Sequence, residues 1–144
     1  MLARLSQSRK KTRRTLDPTS AYSYHAALTQ WRGFSMRLVI IESPYAGDTA
    51  RNTAYARAAV RDSLLRGEAP IASHLLYTQP GVLDDNDPAE RQHGIDAGLA
   101  WHMVAEATVV YADYGISRGM AYGIAKARRD DTPIEYRFLS GWPK

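Results

Sequence analysis

Between Met36 and Leu139, short runs rich in β-branched and apolar residues alternate with segments of helical pattern. The runs are "MRLVIIES" from Met36, "APIASHLLY" from Ala69, "ATVVYAD" from Ala107 and "TPIEYRFL" from Thr132. Runs this short and apolar suit strands buried in a sheet. Strand–helix alternation predicts βαβ units and a parallel sheet of four or five strands, its first strand central, with helices on both faces. Right-handed crossovers then gather the loops that follow the strands on one edge of the sheet. Ligands of open α/β sheets bind at that carboxyl edge.

The helices expected between the strands carry their own punctuation. Residues 49–66 are opened by Asp48 or Thr49 as N-cap and closed by Gly67. A second helix is expected over 88–106, with Pro88 in its first turn. A third is expected over 118–129, after the turn "DYGISRG". One domain over 36–144 accommodates all of these elements.

Residues 1–35 are different in kind. They hold seven basic residues against the single acid Asp17, a net +6, whereas the whole chain carries +4. The remaining 109 residues therefore carry −2. With a block of like charges and no sustained period, 1–35 reads as a basic, mostly disordered leader. Its "RKKTRR" offers contact with nucleic acid or a solvated tail, and "SYHAALTQW" offers a short helix on the body. Met36 is an alternative start of translation, since the domain pattern begins there. Nucleic acid is expected as a partner only through this leader.

No run reaches the roughly 18–20 apolar residues of a membrane span, and the N-terminus lacks an apolar signal core. Cysteine is absent, which excludes disulfides, thiolate metal sites and cysteine nucleophiles. A cytoplasmic protein is the expectation. His93 and His102 are nine apart on one helix and point to opposite sides, so they cannot share a metal. Neither a metal nor a cofactor is expected. "DYGISRG" lacks the ending of a phosphate-binding P-loop, and "SPYAG" lacks dinucleotide glycine spacing.

Three chemically loaded loops meet at the expected ligand edge: "ESPYAG", "SHLLYTQ" and "DYGISRG". In the last, Gly115 and Gly119 let the backbone approach a ligand. Ser117 caps the helix or offers its hydroxyl to an anion at the helix N-terminus, with Arg118 and Met120 alongside. Ser43 and Tyr45 of the first loop complete the expected anion and ligand contacts. Tyr77 stacks on a base or packs in place, and Asp85 and Glu90 either reach a sugar or lie in solvent. Edge carboxylates are Glu42, Asp113 and the set Asp84, Asp85, Asp87 and Glu90. Asp113, beside the glycine turn, has the best address for catalysis, though it also suits a turn bonded to its own backbone. His74 follows the second strand and serves as acid, base or strand-end cap.

"MRLVIIESPYAGD" and "DYGISRGMAYGIAKA" together resemble the nucleoside 2-deoxyribosyltransferase superfamily, over roughly residues 36–138. The first string is similar to its opening strand and turn, the second to its strand, serine–glycine loop and helix. The resemblance is to a branch of small phage- and actinobacterial-type proteins. It implies a flavodoxin-like, Rossmann-like doubly wound fold that binds a nucleoside or nucleotide and acts on its N-glycosidic bond by transfer or hydrolysis. It also implies a homodimer or higher homo-oligomer, for which Trp101, Met103 and Tyr114 provide apolar surface. Active members carry a nucleophilic glutamate six residues after the loop serine. Counting from Ser117 reaches Gly123, so that mechanism does not carry over. A protein that binds a nucleotide or nucleotide signal without turning it over is the alternative.

Overall fold

The computed structural model describes residues 36–143. The readings of 1–35 — leader, short helix, basic contact and alternative start — lie outside the described residues. Four strands form one all-parallel sheet in the order β2-β1-β3-β4. They are β1 (Arg37–Glu42), β2 (Glu68–Ile71), β3 (Ala107–Tyr111) and β4 (Ile134–Arg137). As the sequence predicts, the first strand is interior, pairing with β2 through Val39↔Pro70 and with β3 through Ile41↔Val109. Burial on both faces explains its run: Val39, Ile40 and Ile41 are all inside. Pro70, with no N–H to give a ladder, sits on an edge strand.

Helix α1 (Thr49–Leu65) crosses from β1 to β2. Asp48 caps it, accepting from the Arg51 N–H at 3.1 Å. Its buried residues Asn52, Tyr55, Ala56, Ala59 and Ser63 recur at helical spacing. Tyr55 and Ala59 pack on Val39, Ile41, Val109 and Tyr111, with Trp142 and Leu139 closing the cluster. Helix α4 (Arg118–Arg129) covers the opposite side of the sheet, setting Met120 and Ile124 on Val110 and Ile134. Beside the first cluster runs a line of charge. Arg137 donates to Glu68 at 2.7 and 2.8 Å and to Glu135 at 2.6 Å. Glu68 also accepts from Ser63 Oγ at 2.6 Å. The Arg137 guanidinium holds the buried Glu68 carboxyl below its ordinary range.

Three boundaries differ from the sequence reading. The second strand stops at Ile71, and a one-turn helix, α2 (Ser73–Leu76), follows. Its cause is local: Leu76 N–H returns to Ala72 and Tyr77 N–H to Ser73, so the chain coils where an extended run is expected. The helix expected over 88–106 is α3 (Pro88–Ala100), tightening into a 3₁₀ turn at Trp101–Met103. There the Val104 and Ala105 N–H groups both return to Trp101, which ends the helical ladder. The last strand is the four residues of β4. No described helix is long and apolar enough to cross a membrane.

Candidate functional site

The carboxyl end of β1 leaves the sheet toward a cavity of about 200 Å³. Its lining comes from the β1 end, α2, α3 and the first turn of α4. Each contribution has a local reason. Ser117 opens α4 as N-cap, accepting from the Met120 N–H at 3.3 Å, and Ser117, Arg118, Gly119 and Met120 all line the cavity. The expected cap and the expected cavity hydroxyl are thus one residue. The coil of α2 points His74 inward, with Nε2 2.8 Å from Ser43 Oγ. Burial pulls the His74 pKa down to about 4, so the imidazole is neutral near pH 7. Tyr45 meets the His74 ring edge-on at 6.3 Å. Tyr77 also lines the cavity, its hydroxyl accepting from Trp101 Nε1 at 2.9 Å.

Asp85 and Glu90 reach the cavity already engaged. Arg91 donates to Asp85 at 2.5 Å, and Glu90 accepts from the Asp84 N–H at 2.6 Å. These bonds tie the loop to α3, with Asp84, Asn86, Asp87 and Glu90 still exposed and Asp85 half-buried. Arg118 makes no ion pair among the described residues.

Two expected residues lie elsewhere. Asp113 does not line the cavity. Its carboxylate accepts from Tyr55 Oη at 2.6 Å and from the Leu139 N–H at 3.0 Å, tying the end of β3 to α1 and to the segment after β4. The Asp113 N–H donates in turn to Tyr55 Oη at 3.0 Å. The pull of these partners takes it to the opposite side of the sheet from α4. Gly115 is likewise outside the lining; its φ of +77° serves the turn that leads to Ser117.

In place of Asp113, the cavity receives Glu42, the last residue of β1. Burial pushes its pKa up to about 8. Its carboxyl lies against Gly123 of α4, where any Cβ would collide with Oε1 and Cδ. The sequence places it among the edge carboxylates, as the acid that closes the apolar run Val39–Ile41. Gly94 and Gly98 of α3 also form part of the wall, with no signal in the sequence beyond their place on that helix.

Fold and site together define a small parallel α/β domain with a cavity at the carboxyl edge of its sheet. The chain belongs to the family described as Domain of unknown function (DUF7768), which matches residues 37–137. No curated protein and no solved structure matches it.

Proposed function

We propose that the cavity binds a nucleoside 5′-monophosphate and that the protein acts on its N-glycosidic bond. The observation that carries this reading is convergence on one cavity. The α4 N-terminus with Ser117 and Gly119, the aromatic rings of Tyr45 and Tyr77, and the carboxyl of Glu42 all line it. Unpaired N–H groups and the helix dipole suit a phosphate. Flat rings suit a base, and a carboxyl group suits the anomeric carbon between them. The likeness of residues 36–138 to nucleoside 2-deoxyribosyltransferases points the same way.

Binding without turnover is the second reading, and the glycine at 123 favours it. The proposal includes a homodimer formed through Trp101, Met103 and Val104, which are 40%, 86% and 56% exposed. The test is a thermal-shift series with 2′-deoxynucleosides, their 5′-monophosphates and ADP-ribose, followed by chromatography for released base. Monophosphates should stabilise the protein most. Ser117→Ala should weaken them by about 1–2 kcal/mol, one charge-assisted hydrogen bond, and leave nucleosides almost unaffected. Equal losses for both ligands would reduce Ser117 to a helix cap. No shift with any of these compounds would overturn the proposal.

A further inference from the structure

Glu42 stands at the end of β1, and its carboxyl occupies the space beside the Gly123 backbone, 3.1 Å separating Oε2 from the position a Cβ would take. With a side chain at 123 the carboxyl could not keep its present place and would have to swing aside. Among the described residues, no N–H, hydroxyl or cation is hydrogen-bonded to this carboxyl. Glu42 is half-buried at the cavity wall, and a carboxylate drawn that far from water with no donor to replace it is disfavoured, which favours its protonated form. The upward displacement of its pKa to about 8 has the same cause, burial alone.

The neighbours leave that proton where it is. His74 from α2, Asp85 from the loop, Glu90 and Arg91 from α3 and Arg118 from α4 are the other charged or titratable groups on the cavity, besides its tyrosines. His74 is paired with Ser43, Asp85 with Arg91, and Glu90 with the Asp84 N–H. Tyr45, Tyr77 and Tyr122 complete the titratable lining. None of these groups bonds to Glu42.

We infer that Glu42 is the proton donor of this site, protonating the base as it leaves, and that Gly123 is the residue that makes room for it. The inference rests on the nucleotide reading of the cavity. As the C1′–N bond of the nucleotide breaks, its electron pair passes to the base. The proton of Glu42 moves to the base, which departs neutral. A water molecule adds its oxygen to C1′, and the proton it sheds returns to the Glu42 carboxylate. Nucleotide and water become sugar phosphate and free base, and the acid is restored. No carboxylate on α4 is needed at that step, so a glycine at 123 is compatible with turnover.

The experiment measures base release from the four 2′-deoxynucleoside 5′-monophosphates by the full-length wild type, Glu42→Gln and Gly123→Ala, with affinity measured in parallel. Glu42→Gln keeps the shape and loses the proton. Its kcat should fall by roughly 100-fold or more, the usual contribution of a general acid, with affinity within about twofold. Wild-type kcat should decline as pH rises through about 8, and the residual rate of Glu42→Gln should lack that limb. Gly123→Ala should displace the carboxyl and lower kcat while the protein still melts cooperatively. Binding by the wild type without base release would overturn the proton donor and leave the nucleotide reading standing. Unchanged kcat in Glu42→Gln would overturn it too. So would a kcat that rises through pH 8, the mark of a carboxylate acting in its charged form. Failure of the wild type to bind any monophosphate would remove the nucleotide reading and the proton donor with it.

Discussion

Replacing Glu42 with Gln should change how the stability of the protein depends on pH. Burial holds the Glu42 pKa near 8, against an ordinary 4.5. Between those values the folded chain keeps a proton that the unfolded chain releases. Stability contributed by this group is therefore full below pH 4.5 and is lost progressively up to pH 8. The slope is about 1.4 kcal/mol per pH unit, with a ceiling of about 5 kcal/mol over the window. His74 acts in the opposite sense. Its pKa is pulled to about 4 from 6.5, so the unfolded chain binds the extra proton and stability rises with pH between those values. From pH 4.5 to 6.5 the slopes of Glu42 and His74 oppose each other, while His102, which burial also lowers, is common to both proteins and cancels in their difference. From 6.5 to 8 Glu42 acts alone, and about 2 kcal/mol should be lost. Relative to wild type, Glu42→Gln should gain about 3 kcal/mol between 4.5 and 6.5 and about 2 more up to pH 8. Against a typical domain stability of about 5–15 kcal/mol, both changes are measurable. Urea unfolding at closely spaced pH values provides the assay, with fluorescence of Trp142, packed on Tyr55, as the probe. Carboxylates such as Glu68 and Glu135, held low by Arg137, are common to both proteins and cancel in the difference. Curves that run parallel between pH 6.5 and 8 would show that Glu42 titrates like a surface acid, and the reasoning would fail.

Asp113→Asn should cost about 1–3 kcal/mol of unfolding free energy through its bonds to Tyr55 and Leu139. It should leave ligand affinity unchanged; a selective loss of binding at unchanged melting temperature would return Asp113 to the site. Arg137→Ala takes from buried Glu68 its bidentate partner and leaves it only Arg37 at 3.8 Å and the Ser63 hydroxyl; it should cost somewhat less than the roughly 3–5 kcal/mol of a fully broken buried pair, read by denaturant unfolding at neutral pH. A loss under about 1 kcal/mol would mean that solvent reaches Glu68 freely. Met103→Lys, on the exposed patch with Trp101 and Val104, should convert a dimer into a monomer in light scattering at micromolar concentration. A wild type that is already monomeric there would refute the dimer.

The fold was legible because each strand and cap depends on neighbours in the chain. Val39 to Ile41 mark a doubly buried strand, and Ser117 and Asp48 cap the helices that begin just after them. The site was less legible because its chemistry depends on which of two carboxylates a long-range partner claims. Glu42 ends β1 and Asp113 lies two residues past β3, both near the carboxyl edge, and by local sequence Asp113 has the better surroundings. Tyr55, 58 residues away, takes Asp113 with a 2.6 Å hydrogen bond, and that choice cannot be read from the residues beside Asp113. Glu42 is left to the cavity by the opposite circumstance, a neighbour with no side chain. Gly123 and Glu42 are 81 residues apart, yet a single Cβ between them would make the observed position of the carboxyl impossible. Read along the chain, the glycine looks like a lost functional group. In the folded protein it is the space into which an acid from a different strand fits. The two positions should therefore vary together: a side chain at 123 requires a residue at 42 that stays clear of it. Gly123→Ala combined with Glu42→Ala should recover most of the stability that Gly123→Ala alone loses, because the collision it creates is with the carboxyl. Additive losses in that pair would mean that α4 shifts on the sheet to admit the methyl group, and that Glu42 and Gly123 are adjacent without being coupled.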